Sequence, residues 1–256
     1  MASLREGMIN YSVYTEKDGD EMSRLLGGVF ADHDPPAVAV GLTPAEFEAF
    51  VRLFSAKAAV EGLTTVARSA ETGEMVGVLL TEDSSGAPPE GMEHLSAKFD
   101  PIFDILGQLD AEYRAGESAR PGDCLHLFLL GVAPSCAGQG IAHQLVARCL
   151  ALGASRRFRV AVTEATNTTS QHIFRKQGFV ERVRRSYESH RFNGRAYFAS
   201  ITSRAGQCSW KGHSRRDSPC RQRRPTTGST RRPAPSRALR AQCARRFRPR
   251  VSRTLD

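Results

Sequence analysis

A glycine-bearing turn between a predicted strand and a predicted helix has the residue types that bind a phosphate group. The apolar run Leu125–Val132 leads into the turn Val132–Ala142 (VAPSCAGQGIA), and an amphipathic run begins at Ile141. Glycine lets the backbone turn tightly and approach a ligand closely. The amides of a first helical turn have no partner within the helix, and the helix dipole adds positive potential there. The sequence therefore predicts a phosphate-binding turn.

A second motif, Ala165–Phe179 (ATNTTSQHIFRKQGF), follows a short apolar run farther along the chain. Together the two motifs resemble the GNAT superfamily of N-acetyltransferases, most closely its arylalkylamine branch. The turn of that superfamily usually reads Arg/Gln-x-x-Gly-x-Gly/Ala; Gly140 and Ala142 match it, and Ala137 replaces the Arg or Gln. The later helix usually reads Asn-x-x-Ala/Ser, then an aromatic residue, then Gly-Phe, and the matching positions are Asn167, Ser170, Phe174, Gly178 and Phe179.

The resemblance implies that acetyl-coenzyme A is the acyl donor and that no metal takes part. The turn that would hold its pyrophosphate consists of Ala137, Gly138, Gln139, Gly140, Ile141 and Ala142. Backbone groups of Leu130 and Val132 would pair with the pantetheine arm as with an added strand, while their side chains belong to a buried strand. Asn167 would contact the arm from the other strand, and Phe174 belongs to the same set of cofactor-binding residues.

Two residues are candidates for the general base. The run from Asp34 to Leu42 resembles the Glu-Pro…Gly-Leu segment of insect-type arylalkylamine N-acetyltransferases, whose glutamate is the proposed base acting through water; Asp34 is one methylene shorter. His126 matches the first of two histidines in the vertebrate serotonin N-acetyltransferases, and its neutral form can accept a proton near physiological pH. The structural alternatives are a solvated loop charge for Asp34 and a hydrogen-bonded strand histidine for His126. We place Asp34 ahead of His126.

The general acid is less well defined by the sequence. Many members of the superfamily carry a tyrosine where this chain has Phe174, which cannot donate a proton. Ser170, one helical turn earlier on the same face, is the nearest hydroxyl and matches a serine of the arylalkylamine branch. Its structural alternative is an ordinary exposed helix serine.

These residues predict an acetyl-CoA-dependent N-acetyltransferase that acts on a small primary amine, arylalkylamine-like, by direct attack of the amine on the thioester. Phe30, Phe50 and Phe128 could line an apolar amine pocket or belong to the core. The alternatives are acetylation of a protein or peptide amine, and a non-catalytic protein that binds coenzyme A or binds nucleic acid through its tail.

The positive net charge belongs to the C-terminal tail. The chain carries 36 Lys and Arg against 27 Asp and Glu, a net charge of +9. Residues 203–256 alone contain fifteen Arg, one Lys and two Asp, whereas residues 1–202 hold 20 basic and 25 acidic residues. We expect an N-acetyltransferase domain over 1–202 and an Arg/Pro/Ser-rich disordered tail over 203–256, which cannot bury enough apolar surface to order itself. The composition of this tail is typical of GC-rich DNA translated in a shifted reading frame. We favour this origin over a nucleic-acid-binding arm. Nucleic acid is therefore expected as a partner only if the tail is a genuine part of the protein.

Other features of the chain set limits on its class. Cys124, Cys136 and Cys149 lack CxxC spacing, so neither a zinc site nor a disulfide framework is indicated. No apolar run approaches the length of a membrane span, and the start MASLREGM has no hydrophobic signal region. We expect a soluble, cytoplasmic monomer or homodimer.

The alternation of predicted elements indicates one α/β domain with a mixed, twisted central sheet and flanking helices. A hairpin is predicted from Thr64–Ser69 to Met75–Glu82, and a single helix over Thr43–Glu61, opened by a capping box of Thr43 with Glu46. Phe179–Tyr187 and Arg195–Ile201 are predicted to form the closing antiparallel pair. In the superfamily, two central strands of such a sheet part to admit the cofactor arm.

Overall fold

A seven-stranded mixed sheet forms the centre of the protein, in the strand order β1-β2-β3-β4-β5-β7-β6. The computed structural model describes residues 8–114, 122–201 and 207–214, the last range as backbone only. Strands β4 and β5 are parallel, and the other neighbours are antiparallel. The strands are β1 Ile9–Val13, β2 Thr65–Ser69, β3 Met75–Asp83, β4 Cys124–Val132, β5 Val160–Ala165, β6 Val180–Ser186 and β7 Gln207–Ser214. The expected mixed sheet with flanking helices is confirmed.

Helices cover both faces of this sheet. One apolar cluster packs α1, α3 and α5 against β3 and β4, and a second packs α6 and α7 against the opposite face. Successive residues of β3 therefore divide between the clusters: Leu80 belongs to the first and Leu79 to the second. The α-helices are α1 Gly19–His33, α2 Pro35–Val40, α3 Pro44–Arg52, α4 Ser55–Glu61, α5 Asp100–Arg114, α6 Ile141–Ser155 and α7 Thr168–Lys176.

Strands β4 and β5 separate after only three paired positions. The register joins Cys124 to Val160, Leu125 to Ala161 and His126 to Val162, and the pairing ends there although β4 continues to Val132. Beyond His126, β4 keeps its pairing with β3 on one side. A gap therefore opens in the middle of the sheet between the carboxyl-terminal parts of these two strands.

The gap coincides with a β-bulge in β4. Leu129 pairs with Leu80 and Leu127 pairs with Thr81, so Phe128 is the extra residue of the bulged strand. A bulge bends its strand and re-aims the side chains on either side of it. Phe128 accordingly joins the aromatic cluster of the first face, with its ring 5.2 Å from that of Phe54 and 5.9 Å from that of Phe50.

The region predicted as one helix over Thr43–Glu61 is two helices, α3 and α4. The amides of Leu53 and Phe54 donate to the carbonyls of Phe50 and Val51, three residues back, so the α-helical bonding is interrupted there. The tighter turn lets Phe50 and Phe54 both enter the core, with ring centroids 5.3 Å apart. The predicted hairpin between β2 and β3 is confirmed, and Gly73 supplies the left-handed residue of its turn with φ of 76°.

The prediction of a strand over Arg195–Ile201 is wrong. Only Phe192 and Arg195 form a bridge, around Asn193 and Gly194, and the chain then continues in turns. Phe198 is fully buried with its ring 5.5 Å from that of Tyr187, so this segment is ordered by aromatic packing and not by strand pairing.

The partner of β6 is instead β7, Gln207–Ser214, which lies between β5 and β6. These eight residues belong to the stretch predicted as a disordered tail, so the sheet extends past the predicted boundary at residue 202. Backbone hydrogen bonds to a strand on each side do not require apolar and polar residues to alternate along β7. The hydrophobic pattern of the sequence therefore gave no indication of this strand. The rest of the predicted tail, residues 203–206 and 215–256, lies outside the described residues.

The capping box of α3 is confirmed and provides a test of local stability. Thr43 Oγ1 accepts a hydrogen bond from the Glu46 amide at 3.3 Å, and Glu46 Oε2 accepts one from the Thr43 amide at 2.9 Å. Because Thr43 is exposed, Thr43→Ala removes the cap without leaving a cavity. We expect it to lower the free energy of unfolding by about 1 kcal/mol in urea denaturation. Thr169→Ala, at an exposed position of α7 that is not a cap, is the control; an equal loss there would contradict the capping argument.

Candidate functional site

A cavity that opens to solvent lies at the gap between β4 and β5. It joins the two faces of the sheet, since its wall includes Leu129 from the first apolar cluster and Phe174 from the second. Six phenylalanines on its wall belong to the first apolar cluster or pack against it, and we refer to them as the phenylalanine chamber: Phe30, Phe47, Phe50, Phe99, Phe103 and Phe128. The three phenylalanines singled out from the sequence thus all line the cavity, and the other three are Phe47 of α3, Phe103 of α5 and Phe99, which directly precedes α5.

Asp34 is a buried carboxylate on the wall of this cavity. It lies between α1 and α2 and is the N-cap of α2, where its Oδ2 accepts a hydrogen bond from the Ala37 amide at 3.4 Å. Its Oδ1 accepts a hydrogen bond from Thr166 Oγ1 at 2.5 Å. Burial raises the pKa of Asp34 to about 6, although both hydrogen bonds act in the opposite direction. Asp34 can therefore exchange a proton near neutral pH.

The partner of Asp34 is itself held in place. Thr166 directly follows β5, and the hydroxyl of the fully buried Tyr187 donates to its carbonyl oxygen at 3.0 Å. The Thr166 hydroxyl is thereby directed at the carboxylate across the gap. The resemblance to known enzymes gave no role to Thr166, although it lies within the second motif, or to Tyr187 at the end of a predicted strand.

His126 is buried between two carboxylates. Its Nδ1 lies 3.0 Å from Glu82 Oε1, and its Nε2 lies 2.7 Å from Glu164 Oε2. Burial by itself lowers the pKa of His126, but Glu164 and Glu82 outweigh it and raise the pKa to about 9. The imidazole is therefore charged at neutral pH with both nitrogens donating. A base needs the neutral form, so this environment argues against the base role considered for His126.

The glycine turn lies at the start of α6, as expected. Gly138 and Gly140 both have left-handed backbone, with φ of 76° and 79°, which side-chain-bearing residues rarely adopt. The first bond of the helix runs from the Gln144 amide to the Gly140 carbonyl at 3.1 Å. The amides of residues 141–143 consequently have no partner within the helix. Ala137 ends the preceding 3-10 helix, and Gln139, Ile141 and Ala142 complete the turn.

Asn167, Ser170 and Phe174 lie together on the cavity wall at the start of α7. Asn167 is the N-cap: its Oδ1 accepts from the Ser170 amide at 2.8 Å, while Ser170 Oγ donates to the Asn167 carbonyl at 2.9 Å. Phe174 is buried with its ring 5.1 Å from that of Phe179. Leu130 lines the same cavity, and Val132 lies farther along β4, next to the turn.

The structure adds two ionisable residues to the site. Within the described residues, the ionisable side chains on the cavity wall are His33, Asp34 and Glu164. Glu164 is in β5, two residues before Thr166, and no motif of the sequence assigns a role to it. His33, the last residue of α1, directly precedes the run from Asp34 to Leu42 but does not belong to it.

The described part of the chain contains no group of three or more His, Cys, Asp and Glu residues suited to a metal ion. Its cysteines 124, 136 and 149 are free thiols. Among the described residues, no helix combines the length and apolar character needed to cross a bilayer.

Comparison with known proteins gives one family match. Residues 71–179 match the model of the "Acetyltransferase (GNAT) family". The matched range begins in the hairpin before β3 and ends with Phe179, and so includes both sequence motifs, the bulged strand β4 and the gap.

Several solved structures share the fold at low sequence identity. Arylalkylamine N-acetyltransferase 2 from Aedes aegypti has a TM-score of 0.68 at 20% identity, covering 80% of this chain and 98% of that one. The polyamine N-acetyltransferase of Drosophila melanogaster has a TM-score of 0.64 at 16% identity, covering 80% and 99%. The C-terminal condensation domain of Ebony, in complex with β-alanyl-dopamine, has a TM-score of 0.73 at 14% identity, covering 80% and 98%.

Proposed function

Because this chain is an acetyltransferase of the GNAT family, we propose that it transfers the acetyl group of acetyl-CoA to a small primary amine of the arylalkylamine type. The observation that carries the proposal is the cavity at the gap, where a buried carboxylate with a pKa near neutrality adjoins a chamber of six phenylalanines. An aromatic amine fits such a chamber, since aromatic rings pack favourably in offset and edge-to-face pairs.

The donor side of the site fits acetyl-CoA. Beyond His126, strand β4 has no β5 partner, so the backbone at Leu130 and Val132 can accept an extended arm as an additional strand. The glycine turn and the first amides of α6 suit a pyrophosphate. Bound there, acetyl-CoA supplies an activated acyl group. Because Ala137 has no side-chain hydrogen-bond donor, only backbone amides of the turn would bind the phosphates.

Asp34 is the proposed base. A primary amine is mostly protonated in water and must lose a proton before its nitrogen can attack a carbonyl carbon. With a pKa of about 6, Asp34 is largely ionised above pH 7 and can accept that proton directly or through a water molecule. Thr166 and the N-terminus of α2 hold the carboxylate in one orientation.

Ser170 is the proposed proton donor to the leaving sulfur. Its hydroxyl already donates to the Asn167 carbonyl, so donation elsewhere requires the hydroxyl to rotate. A coenzyme A thiol is acidic enough to leave without a strong acid, so we assign Ser170 a smaller share of the rate than Asp34.

The proposal is tested with the full chain and four amines, tryptamine, dopamine, spermidine and a lysine peptide, with thiol release as the readout. We expect the two arylalkylamines to be turned over fastest because they alone carry a ring for the phenylalanine chamber. Preferential use of the lysine peptide would favour a protein acetyltransferase. Turnover of none, with acetyl-CoA binding retained in calorimetry, would favour a coenzyme A-binding protein.

The donor turn is tested with a matched pair of glycine variants. Gly138 and Gly73 both have φ of 76° and open space where a Cβ would be added. Gly138→Ala and Gly73→Ala should therefore lower the free energy of unfolding by similar amounts, about 1–2 kcal/mol for a residue with left-handed backbone. Only Gly138→Ala should also weaken acetyl-CoA binding, by about tenfold in calorimetry, equivalent to about 1.4 kcal/mol. Equal acetyl-CoA affinity in the two variants would remove the turn from the donor site.

A further inference from the structure

The hydrogen bond between Thr166 and Asp34 joins two residues of unequal exposure. Asp34 is 8% exposed, whereas Thr166, on the wall of the same cavity, is half-buried. Both oxygens of the carboxylate already accept a hydrogen bond, Oδ1 from Thr166 Oγ1 at 2.5 Å and Oδ2 from the Ala37 amide at 3.4 Å. Thr166 is therefore the more accessible member of this bonded pair.

A threonine hydroxyl can take part in more than one hydrogen bond at a time. It has one proton to donate and two lone pairs that accept. Thr166 Oγ1 can therefore donate to Asp34 Oδ1 and also accept a hydrogen bond from a donor in the cavity. The ammonium group of an acceptor amine is such a donor, so this hydroxyl can connect the amine to the carboxylate.

The backbone on either side of Thr166 holds this hydroxyl in place. Thr166 directly follows β5 and directly precedes Asn167, the N-cap of α7. The Tyr187 hydroxyl donates to the Thr166 carbonyl oxygen at 3.0 Å. A β-branched side chain is also stiff about its χ1 angle. Thr166 therefore loses little further freedom when it binds a substrate, whereas a water molecule in the same role would have to be immobilised.

We propose that Thr166 is a catalytic residue whose hydroxyl acts as a proton relay from the ammonium group of the acceptor to Asp34. An N–H bond of the ammonium breaks and an O–H bond forms on Thr166 Oγ1, while the original hydroxyl proton moves to Asp34 Oδ1. The amine is left neutral with a free electron pair, Thr166 is again a neutral hydroxyl, and Asp34 becomes a neutral carboxylic acid. This inference rests on the proposed function, because it requires Asp34 as the base.

The test compares Thr166→Val, which has nearly the same shape without the hydroxyl, with Thr166→Ser, which keeps the hydroxyl. Acetyl transfer to 2-phenylethylamine is measured by thiol release with the full chain over pH 5 to 9. On the plateau above the pH limb, we expect Thr166→Val to lower kcat/KM for the amine by about 10²-fold or more, as for other proton-transfer groups. Thr166→Ser should keep most of the rate. Thr168→Val, at an exposed position of α7, is the matched control and should behave as wild type.

The pH profile separates proton transfer from an electrostatic effect on Asp34. The hydrogen bond from Thr166 lowers the pKa of Asp34, so its loss in Thr166→Val should move the limb to a higher pH. If Thr166 acted only in this way, the variant would regain the wild-type rate at pH 9, where Asp34 is ionised. The relay requires a rate that stays low there. His33 and Glu164, the other ionisable side chains on the described part of the cavity wall, are the same in both variants.

Two kinetic results would overturn the assignment: a plateau in Thr166→Val equal to that of the wild type, or an equal loss of rate in Thr166→Ser. Calorimetry checks that the site is intact, because Thr166→Val should bind acetyl-CoA as tightly as the wild type does. Weaker acetyl-CoA binding in that variant would indicate a structural role and also contradict the relay. If the wild type itself acetylated no arylalkylamine, the proposed function would fail. An active wild type with an unaffected Thr166→Val would remove only the relay.

Discussion

Asp34→Asn is expected to lower kcat/KM for the amine by about 10²- to 10⁴-fold at pH 8, the usual contribution of a general base. The wild-type rate should rise with pH through a limb near pH 6, where Asp34 loses its proton, and the variant should lack that limb. Stopped assays over pH 5 to 9 measure both effects. Asp32→Asn, two residues earlier and exposed, is the control.

The same substitution should make the protein more stable above pH 6. Burial raises the pKa of Asp34 from 3.8 to about 6, so the folded state binds a proton more tightly than the unfolded state does. Stability therefore falls as pH rises from about 4 to 6, by about 3 kcal/mol at most from this group, and Asn carries no such cost. Urea denaturation at pH 5 and pH 8 measures the difference. A variant that was inactive and also less stable at pH 8 would indicate a disrupted site and contradict the base assignment.

His126→Ala is expected to lower the free energy of unfolding by about 3–5 kcal/mol at pH 7, because it leaves two carboxylates buried without the cation between them. The wild type provides a second measurement. The pKa of His126 is raised from 6.5 to about 9, so its stabilising contribution is complete below pH 6.5 and is lost as pH rises through about 9.

Urea denaturation across pH 6 to 10 should show this loss of unfolding free energy in the wild type. The His126→Ala variant should not show it. His94→Ala, whose side chain is 81% exposed, is the control and should change stability little. If His126 were the base instead, the rate of the wild type would rise through a limb near pH 9. A limb near pH 9 that His126→Ala abolished would contradict our assignment of the base.

The sequence predicted the parts of this protein that depend on local backbone chemistry. The glycine turn, the hairpin at Gly73 and the cap at Thr43 each require particular residue types at fixed spacing, and all three occur where expected. Asp34 was chosen because a short segment resembles known enzymes, and the structure brings it to the same cavity as Ser170. Its catalytic role remains a proposal.

The features that the sequence missed depend on contacts between distant residues. The pKa of His126 depends on Glu82 and Glu164, which lie 44 and 38 residues away along the chain. No period or motif indicates that three such residues will meet. Strand β7 was missed for the related reason that its hydrogen bonds come from strands on both sides, while it lies within the stretch predicted as a disordered tail.

The brief pairing of β4 with β5 divides the sheet into two halves, β1 to β4 and β5 to β6. His126 belongs to the last of the three register pairs that join them. Its imidazolium contacts Glu82 on β3 and Glu164 on β5. These side-chain contacts therefore connect the two halves at the position where the backbone pairing of β4 with β5 ends. His126 therefore acts as an ionic cross-link between the halves, and it sets how far apart the two strands stand where the cavity begins.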